Sequence, residues 1–234
     1  MIYCFGDSHV RSYNTLNNTL AIYSFTGASA KGLNTTKSTT NTNSHIKQIL
    51  HNNKGISKIF FQFGQVDIDY ILYLKHLLNK YNVLNNTYLD EYLCMVVHNY
   101  FEFINSLEID FSKIIISSIN PPCISDKHIQ DTFKILKNEY NYNIEDSVIN
   151  EFNFPSLYER THISLKFNNE LRRKCELHNL KYCDIFNSLV NSQTQTINTA
   201  CLTHELNGDS HLCYDNENFS PECANILNNI FDII

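Results

Sequence analysis

The sequence predicts an α/β fold: one three-layer domain on a mostly parallel five-stranded sheet with helices on both faces. Three observations predict it. Apolar runs of strand length alternate with segments of helical spacing to the end of the chain. The runs are nearly continuous in apolar residues, as strands buried on both faces are. Most stop at glycine or proline, which turns the chain at one rim. The 234 residues, 43% hydrophobic and 18% charged, suffice for a core that needs no covalent staples. The span 1–234 reads as a single domain.

In order, Ile2 to Phe5 is a short buried strand ended by Gly6, and Leu20 to Phe25 a second, ended by Thr26-Gly27. The Thr/Asn/Ser stretch from Asn34 to Ser44 is a surface loop leading to a helix through His45 to Leu50. Ile56 to Phe63 is the third strand, ended by Gly64. Apolar residues at helical spacing, Leu89, Leu93, Val96, Val97, Tyr100 and Ile104 among them, predict a helix over Tyr88 to Leu107. Lys113 to Ile119 is the fourth strand, stopped by Asn120-Pro121-Pro122 because proline cannot continue a central strand. The segment 126–160 is the least regular and reads as a lid or a helical insertion. Ile163 to Leu177 is helical and Leu180 to Phe186 the fifth strand. The last helix, Ser220 to Phe231, has a serine cap, Pro221 in its first turn and Glu222 at the end that favours an acid. No internal repeat stands out.

The formal net charge of −6 argues against a nucleic-acid or anionic-membrane partner held by a basic face. No run approaches the roughly 20 apolar residues of a membrane span. The N-terminus lacks the basic, apolar, small-residue progression of a signal peptide, so a cytoplasmic location is expected. Eight cysteines are scattered with no Cys-x-x-Cys pair, which suits reduced packing residues and disfavours zinc.

Gly6, Gly27, Gly64 and Asn120 all follow predicted strand ends, and in parallel sheets sites form beyond the carboxyl ends of the strands. The first of these carries Gly6-Asp7-Ser8-His9, a hydroxyl beside an acid and an imidazole. Two readings are open for it: a turn whose hydroxyl bonds its own backbone, or a nucleophile.

In "CFGDSHV", Gly6-Asp7-Ser8 resembles the first block of the SGNH (GDSL-type) hydrolases. Gly27 in "SFTGASAKGL" sits where the second block supplies a glycine. "FQFGQVD" resembles the third block, Gly-x-Asn-Asp, and "NGDSHL" the fifth, which carries a histidine and an acid. The motifs keep the family's order from Ile2 to the last helix. The resemblance implies a divergent member with a flavodoxin-like sheet, a serine esterase or acyltransferase acting on a small acyl ester, with an acylated sugar as one substrate. It implies Ser8 as nucleophile, His211 as base, and the backbone N–H groups of Ser8 and Gly27 as oxyanion donors. Such chemistry needs no metal or organic cofactor: an imidazole takes the hydroxyl proton, and an acid orients the imidazole.

Two positions depart from the pattern. The third donor, an asparagine in the family, falls on Val66 or Asp67; an ionised Asp67 cannot donate, so Asp67 serves only if protonated, or Gln65 supplies an amide instead. The family's acid three residues before the histidine is Gly208 here, which leaves Asp209 as the orienting acid, with Asp215 and Glu205 as fallbacks. Asp7 and His9 are expected to line the pocket, with His9 pointing away as the competing expectation. Lys31 reads as a loop lysine or a cleft donor, and Tyr70, Tyr73 and Leu74 as helix packing. Two other functions compete. A non-catalytic glycan- or protein-binding module would explain the altered third and fifth blocks. A metal-dependent phosphoesterase would use Asp7-x-His9, carboxylates within 65–69 and His211 as ligands, although its other motifs are missing.

Overall fold

In the computed structural model, which describes residues 1–16, 19–35, 41–53, 55–213 and 218–234, five strands form one parallel sheet in the order β2-β1-β3-β4-β5. They are β1 (Ile2–Gly6), β2 (Leu20–Ser24), β3 (Lys58–Gln62), β4 (Ile114–Ser117) and β5 (Lys181–Cys183). Period-2 alternation sorts their side chains onto two faces. Phe5 lies beside Phe61, and Phe61 beside Ile116; with Ile59 and Ile114 they face one core. Cys4, Phe60 and Ile115 form the neighbouring row and face the other. Along the three inner strands, β1, β3 and β4, both faces are largely buried, which is why these read as continuous apolar runs.

The first face is covered by α1 (Thr42–Asn52), α2 (Leu72–Leu78), α3 (Asn86–Asn105) and α6 (Leu157–Leu177), with α3 packed on α6. Tyr100, Phe103 and Phe167 are fully buried there. The second face is covered by α7 (Phe186–Leu189), α8 (Pro221–Ile233) and a 3-10 helix over Ser8–Thr15, through Leu189, Leu227, Phe231 and Tyr13. Ser220 caps α8 by accepting the Cys223 N–H, with Pro221 in the first turn. A capping box closes α6: Ser156 Oγ takes the Glu159 N–H while Glu159 takes the Ser156 N–H. That box starts α6 six residues ahead of the Ile163 predicted from periodicity.

All the strands but β1, which includes Gly6, are shorter than the apolar runs that predict them. Phe63, Ile119 and Ile185 continue past the ladder, fully or almost fully buried, as loop residues that close the rim. The segment 126–160 contains α4 (Ile129–Glu139) and α5 (Asp146–Glu151). The seven described buried cysteines and the exposed Cys94 are all free thiols. Among the described residues no helix is long and apolar enough to cross a membrane.

The chain passes from β1 to β2 on one side and later returns to β3 on the other, so β1 and β3 flank the point where the winding changes direction. A crevice opens outside the carboxyl ends of such strands. Asp7 and Ser8 follow β1 directly, and 63–67 follow β3.

Candidate active site

Ser8 opens the 3-10 helix that leaves β1, with Asp7 as its cap. As the first residue of a helix its N–H lies outside the internal ladder. Its hydroxyl is 2.9 Å from His211 Nε2, across 203 residues of chain. His211 Nδ1 lies 2.7 Å from Asp209 Oδ1, which also accepts the His211 backbone N–H at 3.0 Å. Those contacts fit the tautomer with its proton on Nδ1, leaving Nε2 free to accept from Ser8.

The loop carrying Asp209 and His211 is held from several sides. Asn207 Oδ1 accepts the Asp209 N–H, and the Asn207 carbonyl accepts the Ser125 N–H. His204 Nε2 reaches the His211 carbonyl at 3.0 Å. Thr132 Oγ1 on α4 donates to the Gly208 carbonyl at 3.2 Å, and a Cβ added at Gly208 would stand 2.9 Å from that oxygen. The close approach of α4 therefore disfavours an acid at position 208, and the carboxylate that pairs with His211 sits one residue later.

Electrostatics separates the two partners. Partial burial acts to raise the Asp209 carboxyl, but hydrogen bonds from the His211 ring and backbone outweigh it and hold it below the usual carboxylate range. Burial pushes the His211 imidazole down, and the nearby His9 pushes it further; Asp209 offsets only part of this. His211 is thus a neutral base near pH 7.

Gly27 adopts φ +72°, a left-handed conformation, and an added Cβ would meet nothing within 4 Å. Glycine is needed there for its backbone freedom and not for space. It lines a cavity of about 250 Å³ together with Ser8, Val66, Tyr70 and His211. Leu74 and Leu136 add to an apolar wall, and Tyr140 and Tyr142 come in from the segment after α4. Tyr70 and Leu74, expected to serve packing, thus also face the cavity, while Tyr73 is buried in the core.

Gln65 and Asp67 need correction as oxyanion or substrate groups. The Gln65 amide donates to Asp69 Oδ2 at 2.8 Å and to the Asn120 carbonyl at 3.3 Å, while its oxygen accepts the Asn120 N–H. Asp67 is fully buried, and its Oδ2 accepts the Ala30 N–H at 2.6 Å. It holds the start of the 3-10 turn Lys31–Asn34, downstream of Gly27. Burial pushes its carboxyl up to about 7, against the pull of the Ala30 and Lys31 backbone bonds. Val66 is the residue of this block that lines the cavity, so the position of a third donor is apolar.

Asp7 and His9 are buried behind Ser8. Asp7 Oδ1 accepts the His9 backbone N–H at 3.0 Å and lies 2.7 Å from His9 Nδ1. This is the geometry of Asp209 and His211 over again, because Gly-Asp-Ser-His occurs twice, at 6–9 and 208–211. The two imidazoles stack, with ring centres 4.4 Å apart and planes 21° apart. The repeated tetrapeptide is the sequence signal for this pair. Among the described residues no group of three or more His, Cys, Asp or Glu could hold a metal ion. Asp7 and His9 pair with each other. Of the fallback acids, Glu205 makes no contact with the His211 ring, and Asp215 lies outside the described residues.

No protein-family profile matches the sequence, and no curated protein matches it significantly. Solved structures do match. A candidate acylhydrolase from Bacteroides fragilis covers 99% of this chain and 84% of its own, with a TM-score of 0.53 at 12% identity. The fold is the SGNH hydrolase fold. A GDSL-like lipase from Bacteroides thetaiotaomicron (TM-score 0.49, 10% identity, 99% of this chain and 85% of that one) also matches. So does a carbohydrate acetylesterase family member from Sinorhizobium meliloti (TM-score 0.49, 11% identity, 99% and 97%). At these identities the SGNH likeness is one of architecture.

Proposed function

We propose that this chain is a serine-dependent esterase or acyltransferase for small uncharged acyl esters, with Ser8 as nucleophile, His211 as base and Asp209 as the orienting acid. One observation carries the reading: the relay from Ser8 Oγ through His211 to Asp209 at 2.9 and 2.7 Å, opening on an apolar cavity. His211 takes the Ser8 proton as the hydroxyl attacks the ester carbonyl, and then delivers it to the departing alcohol. The acyl group stays on Ser8 until water or an acceptor hydroxyl, deprotonated by His211, removes it. In this reading the Ser8 and Gly27 N–H groups are the oxyanion donors, both residues lining the cavity. With Val66 in place of an amide the hole has two donors, and one donor is worth about 10²–10³ in kcat. A modest turnover is expected.

The cavity supports a short, uncharged acyl group, since its lining carries no Asp, Glu, Lys or Arg. Tyr140 and Tyr142, exposed and 6.2 Å apart, offer ring faces and hydroxyls at the mouth, a surface that suits a sugar as the alcohol half. The test is hydrolysis of p-nitrophenyl esters from acetate to decanoate, with a chelator present and with Ser8→Ala as control. Turnover of the short esters that resists chelation and is lost in Ser8→Ala supports the reading. Equal turnover in Ser8→Ala refutes it.

A further inference from the structure

Behind the nucleophile lies a buried aspartate–histidine pair that the acyl-transfer steps do not consume. His9 and Asp7 have almost no solvent exposure, 2% and 1% for their side chains. Their pairing repeats that of His211 and Asp209, yet His9 touches no serine hydroxyl: its Nε2 faces the Ser210 backbone without closing a hydrogen bond of normal geometry. What it does touch is the face of the His211 ring.

We propose that Asp7–His9 is a positioning pair for the serine relay: a buried imidazolium, stacked on the His211 ring, fixes the plane of that ring against Ser8 and opposes its taking a second proton. The proposal rests on the acyl-transfer reading of the site. The geometry supplies both halves of it. A histidine held to one carboxylate oxygen by both its backbone N–H and its ring, and turned face-on to its neighbour, restricts rotation of His211 about its Cβ–Cγ bond. A cation 4.4 Å away disfavours a second cation on His211.

The charge on His9 follows from what surrounds it. From its own turn Asp7 accepts its Nδ1–H, from the turn after β3 Asp69 adds a second carboxylate, and from the C-terminal loop come the Ser210 backbone and the His211 ring. Burial works against charge on His9, but the two carboxylates outweigh it and raise it above an ordinary histidine. Asp69 is itself pushed up to about 6 by burial, and Gln65, His9 and Arg160 on α6 pull it down. Facing His211 are Asp209, Asp7 and His9, with His204 on its backbone carbonyl. The consequence is a base that stays uncharged, and so usable, into mildly acidic solution, at some cost in basicity.

The experiment is an imidazole titration by nitrogen-15 NMR, pH 4.5 to 8.5, on the wild-type protein and on His9→Gln, alongside kcat/KM against pH. Wild-type His9 is expected to carry both ring protons at pH 7. In His9→Gln the His211 midpoint is expected to rise by about 1 unit, and the acid limb of kcat/KM to move with it. A merely structural role would lower kcat without moving either midpoint, and that result overturns the proposal. Should His9→Gln not fold, the wild-type spectrum decides: a neutral His9 at pH 7 overturns it, and a doubly protonated one upholds it. Because the titration needs no turnover, a protein without esterase activity but with shifted midpoints would sink the acyl-transfer reading and leave the pairing intact.

Discussion

Replacing Asp209 with asparagine removes one charge and leaves the shape of the loop. Asparagine Oδ1 can still accept the His211 backbone N–H that Asp209 holds at 3.0 Å. One thing changes at the ring. The imidazolium formed when Ser8 attacks loses its anion; at about 4 Å between charge centres that is worth roughly 1 kcal/mol in bulk water and roughly 4 kcal/mol at an effective dielectric of 20. The pair is about a quarter exposed, 24% and 26%, so the value falls between, on the order of 2 kcal/mol or thirtyfold. The same Oδ1 also faces Nδ1 at 2.7 Å, so an asparagine that keeps the backbone bond keeps the tautomer with its proton on Nδ1, and the loss is that of the charge. The expected fall in kcat is therefore roughly thirtyfold, measured on a p-nitrophenyl ester at saturating substrate. Thermal unfolding should stay within about 1 kcal/mol of wild type, since the backbone bond survives. A rate within threefold of wild type, in a folded variant, would show that Asp209 does not orient the base.

Two further substitutions probe the supports of the site. Gly27→Ala forces a side chain into φ +72° with open space around it, so stability should fall by only about 1 kcal/mol while displacement of the Gly27 N–H lowers kcat by roughly 10²; unchanged kinetics would remove Gly27 from the oxyanion hole. Asp67→Asn tests a linkage. The native carboxyl, raised to about 7, still holds a proton that the unfolded chain has lost above its ordinary value of 3.8, so this group makes wild-type stability fall as pH rises from about 4 to 7. Asparagine keeps an acceptor for the Ala30 N–H and removes that slope. Its stability relative to wild type should grow across this window, by at most about 4 kcal/mol, and parallel denaturation curves at pH 5 and pH 8 would refute the assignment.

The sheet was legible because its inner strands are largely buried on both faces, and the apolar runs at Ile2, Ile56 and Lys113 announce that directly. Ladder ends were less so: Phe63 and Ile119 are as apolar as true strand residues, and their burial under the rim leaves no mark in composition. The segment 126–160 looked irregular because α4 and α5 are short and their exposed faces carry Lys, Asn and Glu. The resemblance points to Ser8 and His211, with Asp209 as the acid left nearby, and the structure brings the three side chains together. Gln65 and Asp67 misled for a physical reason, because an acid and an amide after a strand look the same in sequence whether they face a ligand or tie down a loop. Here both tie down loops, through Asn120 and Ala30. Glycine at 208 leaves no mark of its cause in the sequence; the approach of Thr132 Oγ1, 2.9 Å from where a Cβ would stand, accounts for it.

The central claim is that Ser8 is a nucleophile activated by His211. It is tested most directly by mass spectrometry after treatment with a serine-reactive fluorophosphonate, comparing the native chain with His211→Ala. The account predicts one adduct, on Ser8, that forms in the native chain and is strongly reduced in His211→Ala. No adduct on the folded native protein, or equal labelling of both, would contradict it.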